Sequence, residues 1–134
     1  MAFDDDVNVY QTIYTREGGT REESVAALYT NKTTTDNGEW IDMTGVESVN
    51  YVVNGITTGT VLFRGWNGAT APAATEHGEA AYGVATSEAT RVAQLTADGV
   101  IAFPKESIFR FMKVYISVAT TITLDVDMKR TRWY

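Results

Sequence analysis

The chain has no cysteine, one histidine and two prolines among its 134 residues. Without cysteine it can form neither a disulfide framework nor a thiolate metal site. The single histidine, His77, limits chemistry further. Zinc takes three or four ligands, mostly His and Cys, and no second His exists. A Ser-His-Asp triad would have to use His77, yet Thr75-Glu76-His77-Gly78-Glu79 carries no G-x-S-x-G elbow. No phosphate-cradling glycine loop is present. Asp125 and Asp127 share one face of a strand, which reads as a solvated face rather than as a glycosidase pair. The expectation is a chain that is not an enzyme and needs no cofactor or metal.

Positive charge is also scarce. Eleven Lys and Arg face seventeen Asp and Glu, a net charge of −6. Affinity for nucleic acid comes from neutralising phosphates with basic side chains, so nucleic acid is not an expected partner. No apolar run approaches the ~18 residues of a membrane span, and residues 1–30 show no apolar segment of the secretory type. The reading expects no membrane partner.

What the chain does have is strand material. Hydrophobic residues make up 44%, and Val and Thr supply about a quarter of the chain, both favouring strands. Val49, Tyr51 and Val53 alternate with polar neighbours. Val61, Phe63 and Gly65 alternate with Leu62, Arg64 and Trp66. Ile122, Leu124, Val126 and Met128 alternate with Thr121, Thr123, Asp125 and Asp127. This is the period of a half-buried strand. Turn signals recur at Asp36-Asn37-Gly38, Thr44-Gly45, Asn54-Gly55, Thr58-Gly59, Asn67-Gly68 and Asp98-Gly99. Asp36–Gly38 and Asp98-Gly99 predict hairpins. Residues 109–118 and 121–128 read as two strands joined by a tight link at Ala119-Thr120. Residues 67–88, rich in Ala, Gly and Thr, read as a surface loop. The expected core is Trp40, Val49, Tyr51, Val53, Val61, Phe63, Val114, Ile116, Ile122, Leu124 and Val126.

This spacing predicts an all-β fold, an antiparallel β-sandwich of jelly-roll or Ig-like type. Residues 1–23 read as an extended N-terminal arm or edge strand, and 24–134 as the sandwich domain. Thr20-Arg21-Glu22-Glu23 fits a helix capping box and allows one helical turn.

The ends differ in charge. Residues 1–23 hold six acids, including Asp4-Asp5-Asp6, against two basic residues, while Lys129, Arg130 and Arg132 lie in the last six positions. Both ends also hold apolar residues. Val7, Val9, Tyr10, Ile13, Tyr14, Arg130, Arg132, Trp133 and Tyr134 are therefore candidates for contact with other subunits or a larger particle. Trp66 and Tyr82, in or beside the long loop, are the candidates for a sugar-facing platform under the alternative reading.

From Glu39 to Met128 the order of motifs resembles a β-sandwich module of small tailed-phage virion proteins. Trp40-Ile-Asp-Met-Thr-Gly45 leads to Ser48–Val53. Thr58-Gly-Thr-Val-Leu-Phe63 runs into Trp66-Asn-Gly68. Phe109-Arg-Phe-Met-Lys-Val-Tyr-Ile-Ser117 and Ile122-Thr-Leu-Asp-Val126 close the pattern. The chain departs from it in two places, with Ala119-Thr120 where the pattern has Gly and with an Ala-rich loop at 69–88. The resemblance implies a virion structural protein of the capsid decoration or cement type, docking on the major capsid protein. The resemblance admits a head-fibre or tail accessory role as well, and the leading reading adds a homo-oligomer, with a trimer expected. The alternatives are a tail or neck accessory protein and a carbohydrate-binding or adhesin module.

Overall fold

The computed structural model describes residues 9–16 and 19–133, with side chains described from 22 to 132. Ten strands, all antiparallel, form one sheet. They are β1 Val9–Arg16, β2 Gly19–Lys32, β3 Ile41–Asp42, β4 Val46–Trp66, β5 Glu79–Ala80, β6 Gly83–Ala85, β7 Arg91–Val92, β8 Gln94–Leu95, β9 Gly99–Pro104 and β10 Phe111–Trp133. A single 3-10 turn at Lys105–Ser107 is the sole helical element among the described residues. The all-β, antiparallel expectation is met. Thr20–Glu23 lies in strand β2, not in a helical turn, because its partners on β1 and β10 already claim its backbone.

One sheet becomes two layers because β4 and β10 fold over together. Tyr51 and Phe63 sit twelve residues apart on β4, about 40 Å in a straight strand. Their ring centroids are 5.1 Å apart. The paired strands must therefore turn a corner between them. β4 pairs with β10 along nearly its whole length, and the register shifts cluster between Ile116 and Asp125. Bulges of this kind bend a strand and let it change layers. Gly55 serves the corner directly, at φ +95°, where a Cβ would lie 1.8 Å from the Thr123 carbonyl oxygen. Asp98 accepts the Ile56 N–H at 2.8 Å and so satisfies a donor at the bend.

The first layer runs β1-β2-β10-β4-β9-β6-β7, using Leu124–Trp133 of β10 and Val46–Val53 of β4. The second uses Phe111–Val118 of β10 and Thr60–Trp66 of β4, flanked by β3, β5 and β8. Three of the expected connections differ as a result. Asp36–Gly38 does not close a hairpin. β2 pairs with the second half of β10 and β3 with its first half, so the connection crosses between layers. Asp98-Gly99 likewise links β8 in one layer to β9 in the other. Residues 109–118 and 121–128 are two halves of one bent strand and do not pair with each other.

The core lies between the layers. Tyr51, Phe63 and Phe103 pack as a triad with centroids 5.1–5.9 Å apart. Aliphatic residues from both layers surround it, among them Val49, Val53, Val61, Ile101, Met112, Val114, Ile116, Leu124, Val126 and Met128. Trp40 is the one expected core residue that the structure places elsewhere. It is half-buried on the outside of the second layer, where its indole lies over Lys113.

Candidate functional site

Strand parity decides what each outer face presents. On the second layer the outward positions Leu62, Arg64 and Trp66 of β4 stand beside Lys113 and Tyr115 of β10. The segment 67–78 folds back across this face. Lys113 Nζ donates to the carbonyls of Ala74 and Glu76, both at 2.9 Å. Arg64 donates to the carbonyls of His77 and Gly78, both at 2.7 Å. Trp40 and Trp66 donate their indole N–H groups to Ala73 and Thr70. Lys113 is only 1% exposed as a result, and its ammonium lies 4.8 Å from the Trp40 ring centroid, a cation–π distance. Burial, and then the Arg64 charge, lower its pKa, against Glu76. Extended backbone offers a row of carbonyls, so long donors on a strand can hold a loop whatever its side chains are.

His77 belongs to this strap. Its ring stacks on Tyr115 at 3.9 Å and 14°, and its Nδ1 is buried without a hydrogen-bond partner. Among the described residues no group of three or more His, Asp or Glu is placed to hold a metal.

The first layer differs. Directly opposed residues form rows across its outer face. One row is Val84, Ala102, Asn50, Lys129, Val25. The next is Val100, Val52, Asp127, Ala27. All are exposed or half-exposed. Val84 is 49% and Tyr82 55% exposed, the largest values among the big apolar side chains described. Apolar residues thus gather over β6, β9 and the first half of β4.

The candidates named from the sequence fall in several places. Arg130 and Arg132 are 3% and 4% exposed, inside the chain and not on a contact surface. Their positions continue the inward alternation of Leu124, Val126 and Met128. Arg132 stands directly opposite Glu22 on β2, itself buried. Arg130 donates to the Asp42 carbonyl at 3.1 Å. One acid of the first segment, Glu22, and one base of the last, Arg132, thus stand in register within one chain. Val9, Tyr10, Ile13 and Tyr14 lie on β1, which holds an edge of the sheet, in register with Ala26, Val25, Glu22 and Arg21. Trp133 is in register with Arg21 at the end of β10. Val7, Tyr134 and Asp4-Asp5-Asp6 lie outside the described residues. Trp66 is half-buried and tied to Thr70 by its own loop, whereas Tyr82 is open.

A cleft of about 440 Å³ opens beside β2, lined by Leu28, Tyr29, Lys32, Asp36, Ile41 and Val114 among others. Its polar groups already serve one another. Tyr29 donates to the Val114 carbonyl at 2.8 Å, and Lys32 pairs with Asp36 at 3.0 Å. Burial, then the Asp36 carboxylate, raise the Tyr29 pKa well above the usual phenol range.

No family model matches the chain, and no curated protein matches it in sequence. Solved structures do match. SPBc2 prophage-derived protein YomS superposes with a TM-score of 0.62 at 16% identity, over 83% of this chain and 94% of that one. PBSX exported protein XepA superposes with a TM-score of 0.69 at 19% identity, over 87% of this chain. The match takes in 39% of XepA, so this chain corresponds to only part of that protein. At these identities the likeness is one of fold: this chain shares its fold with a prophage-derived protein and with part of a PBSX exported protein.

Proposed function

We propose that this chain is a phage structural protein that works by docking, without catalysing a reaction, and that its place is a capsid surface. There it acts as a decoration or cement protein on the major capsid protein, as a homo-oligomer. The observation that carries the reading is the unequal cover of the two outer faces. One is closed by the 67–78 strap. Among the described residues the other carries no such strap, and Val84, Tyr82, Val100, Ala102 and Val52 are exposed or half-exposed. Edge strand β1 adds a second docking device, since an open edge can accept a strand from a partner. The shared fold with two phage-derived proteins supports the phage assignment.

Light scattering on the purified full chain counts its subunits. Sedimentation with phage particles, and separately with tail-free heads, then locates its partner. A multimer that pellets with heads supports the proposal. Pelleting with whole particles but not heads moves the site to the tail or neck. A monomer that pellets with neither contradicts the docking reading.

A further inference from the structure

We propose that residues 67–78 form an acid-released strap, with His77 as its trigger, whose opening uncovers the aromatic and cationic face of the second layer. The inference rests on the strap's own geometry and is independent of the docking reading.

His77 is the one aromatic residue in the strap, and its ring stacks on that of Tyr115 in the sheet. The other grips are side chains of the sheet and of Trp40 on strap carbonyls, and the Asn67 side chain accepting the Arg110 N–H at 3.0 Å. The groups facing the imidazole are a poor setting for a third cation. From β10 come Lys113 and the Tyr115 ring. From β4 comes Arg64. Both cations are bound to neutral carbonyls next to His77 in the chain. The strap itself supplies Glu76, the one opposing charge, whose carboxylate accepts the Gly78 N–H. On the 33–40 connection, Asp36 is turned to Lys32, Gly38 and Tyr29 and not to the imidazole. Protonation would also add a second N–H donor where Nδ1 is buried and has no acceptor. Burial, then Lys113 and Arg64, accordingly hold the His77 pKa below 6.5, against Glu76.

The sign follows from linkage. The closed strap binds the proton less readily than the open one, so closure is favoured above the free-imidazole pKa and is lost as pH falls through the lower, closed-state value. Opening would expose Lys113, Trp40 and Tyr115, adding a charged aromatic surface present only in acid.

One histidine means one imidazole signal in the untagged full chain. NMR titration of His77 gives its pKa, and hydrogen exchange on 67–78, corrected for the intrinsic pH dependence, gives the strap's protection. The expected result is a His77 pKa below 6.5 and a matching fall in strap protection. The fall should total about tenfold for each unit of depression. His77→Phe keeps a flat ring and removes the titration. Its strap should stay protected from pH 7.5 to 4.5, and circular dichroism checks that it folds. A His77 pKa at or above 6.5, strap protection unchanged while His77 titrates, or an equal loss of protection in His77→Phe would each overturn the proposal.

Discussion

Single residues hold the corner and the charged interior of this sheet. At Gly55 two demands coincide, a positive φ and a backbone carbonyl where a Cβ would stand. Gly55→Ala should lower stability by about 2 kcal/mol or more, measured by denaturant unfolding. A change within error would mean that the corner lies elsewhere. Arg132 offers a second test. It is buried opposite buried Glu22, and removing one partner of such a pair strands the other charge. Arg132→Ala should cost about 3–5 kcal/mol. The double change Arg132→Met with Glu22→Leu should cost much less, because neither member of the pair is then left as a buried charge without the other. The pairing is disproved if the single and double variants lose the same stability. Leu124, buried between the layers, should lose about 2–5 kcal/mol on truncation to Ala.

At the scale of elements, alternation made most of the fold legible. Val49, Tyr51, Val53, Val61, Phe63, Val114, Ile116, Ile122, Leu124 and Val126 all lie in the core, as their period of two predicts. The two Arg positions were legible by the same rule, since counting on by two from Met128 reaches Arg130 and Arg132. Their charge argued against burial, yet parity decided. The connections were not legible. Asn54-Gly55 and Ala119-Thr120 have the local chemistry of turns, and a corner inside a strand needs the same chemistry as a reversal between strands. Trp40 was misplaced, and the burial of Lys113 went unread, for a different reason. The strap that covers them is closed by contacts 33 to 39 residues distant in sequence, which no local pattern records. Acid should act on these elements in two steps. His77 weakens the strap first, as pH falls below 6.5. Asp42 and Asp36 follow below about pH 3.8. The Thr44 hydroxyl leads the lowering of Asp42. At Asp36 partial burial pushes up, but the Gly38 N–H and Lys32 outweigh it. A depressed carboxylate stabilises the fold above its unfolded pKa and ceases to as pH falls through its native one. Melting temperature against pH should therefore fall mainly in the lower window, with His77→Phe altering only the upper.

Among the described residues the molecule is a folded sheet with a strap across one outer face and none across the other, and its proposed role rests on that asymmetry. Contact through the bare face should be mainly apolar. Burying such surface contributes about 25 cal/mol per Å², whereas exposed ion pairs add little and weaken with salt. The most direct test is sedimentation of the full chain with phage heads, comparing it with Val84→Glu at low and high salt. Val84 is exposed beside Arg91 on β7, so a carboxylate there should leave the fold intact while spoiling an apolar contact. The account predicts that the unaltered chain pellets with heads at both salt concentrations and that Val84→Glu binds at least about tenfold more weakly, a loss of 1.4 kcal/mol. Equal binding by the two chains, or binding abolished by salt alone, would contradict it.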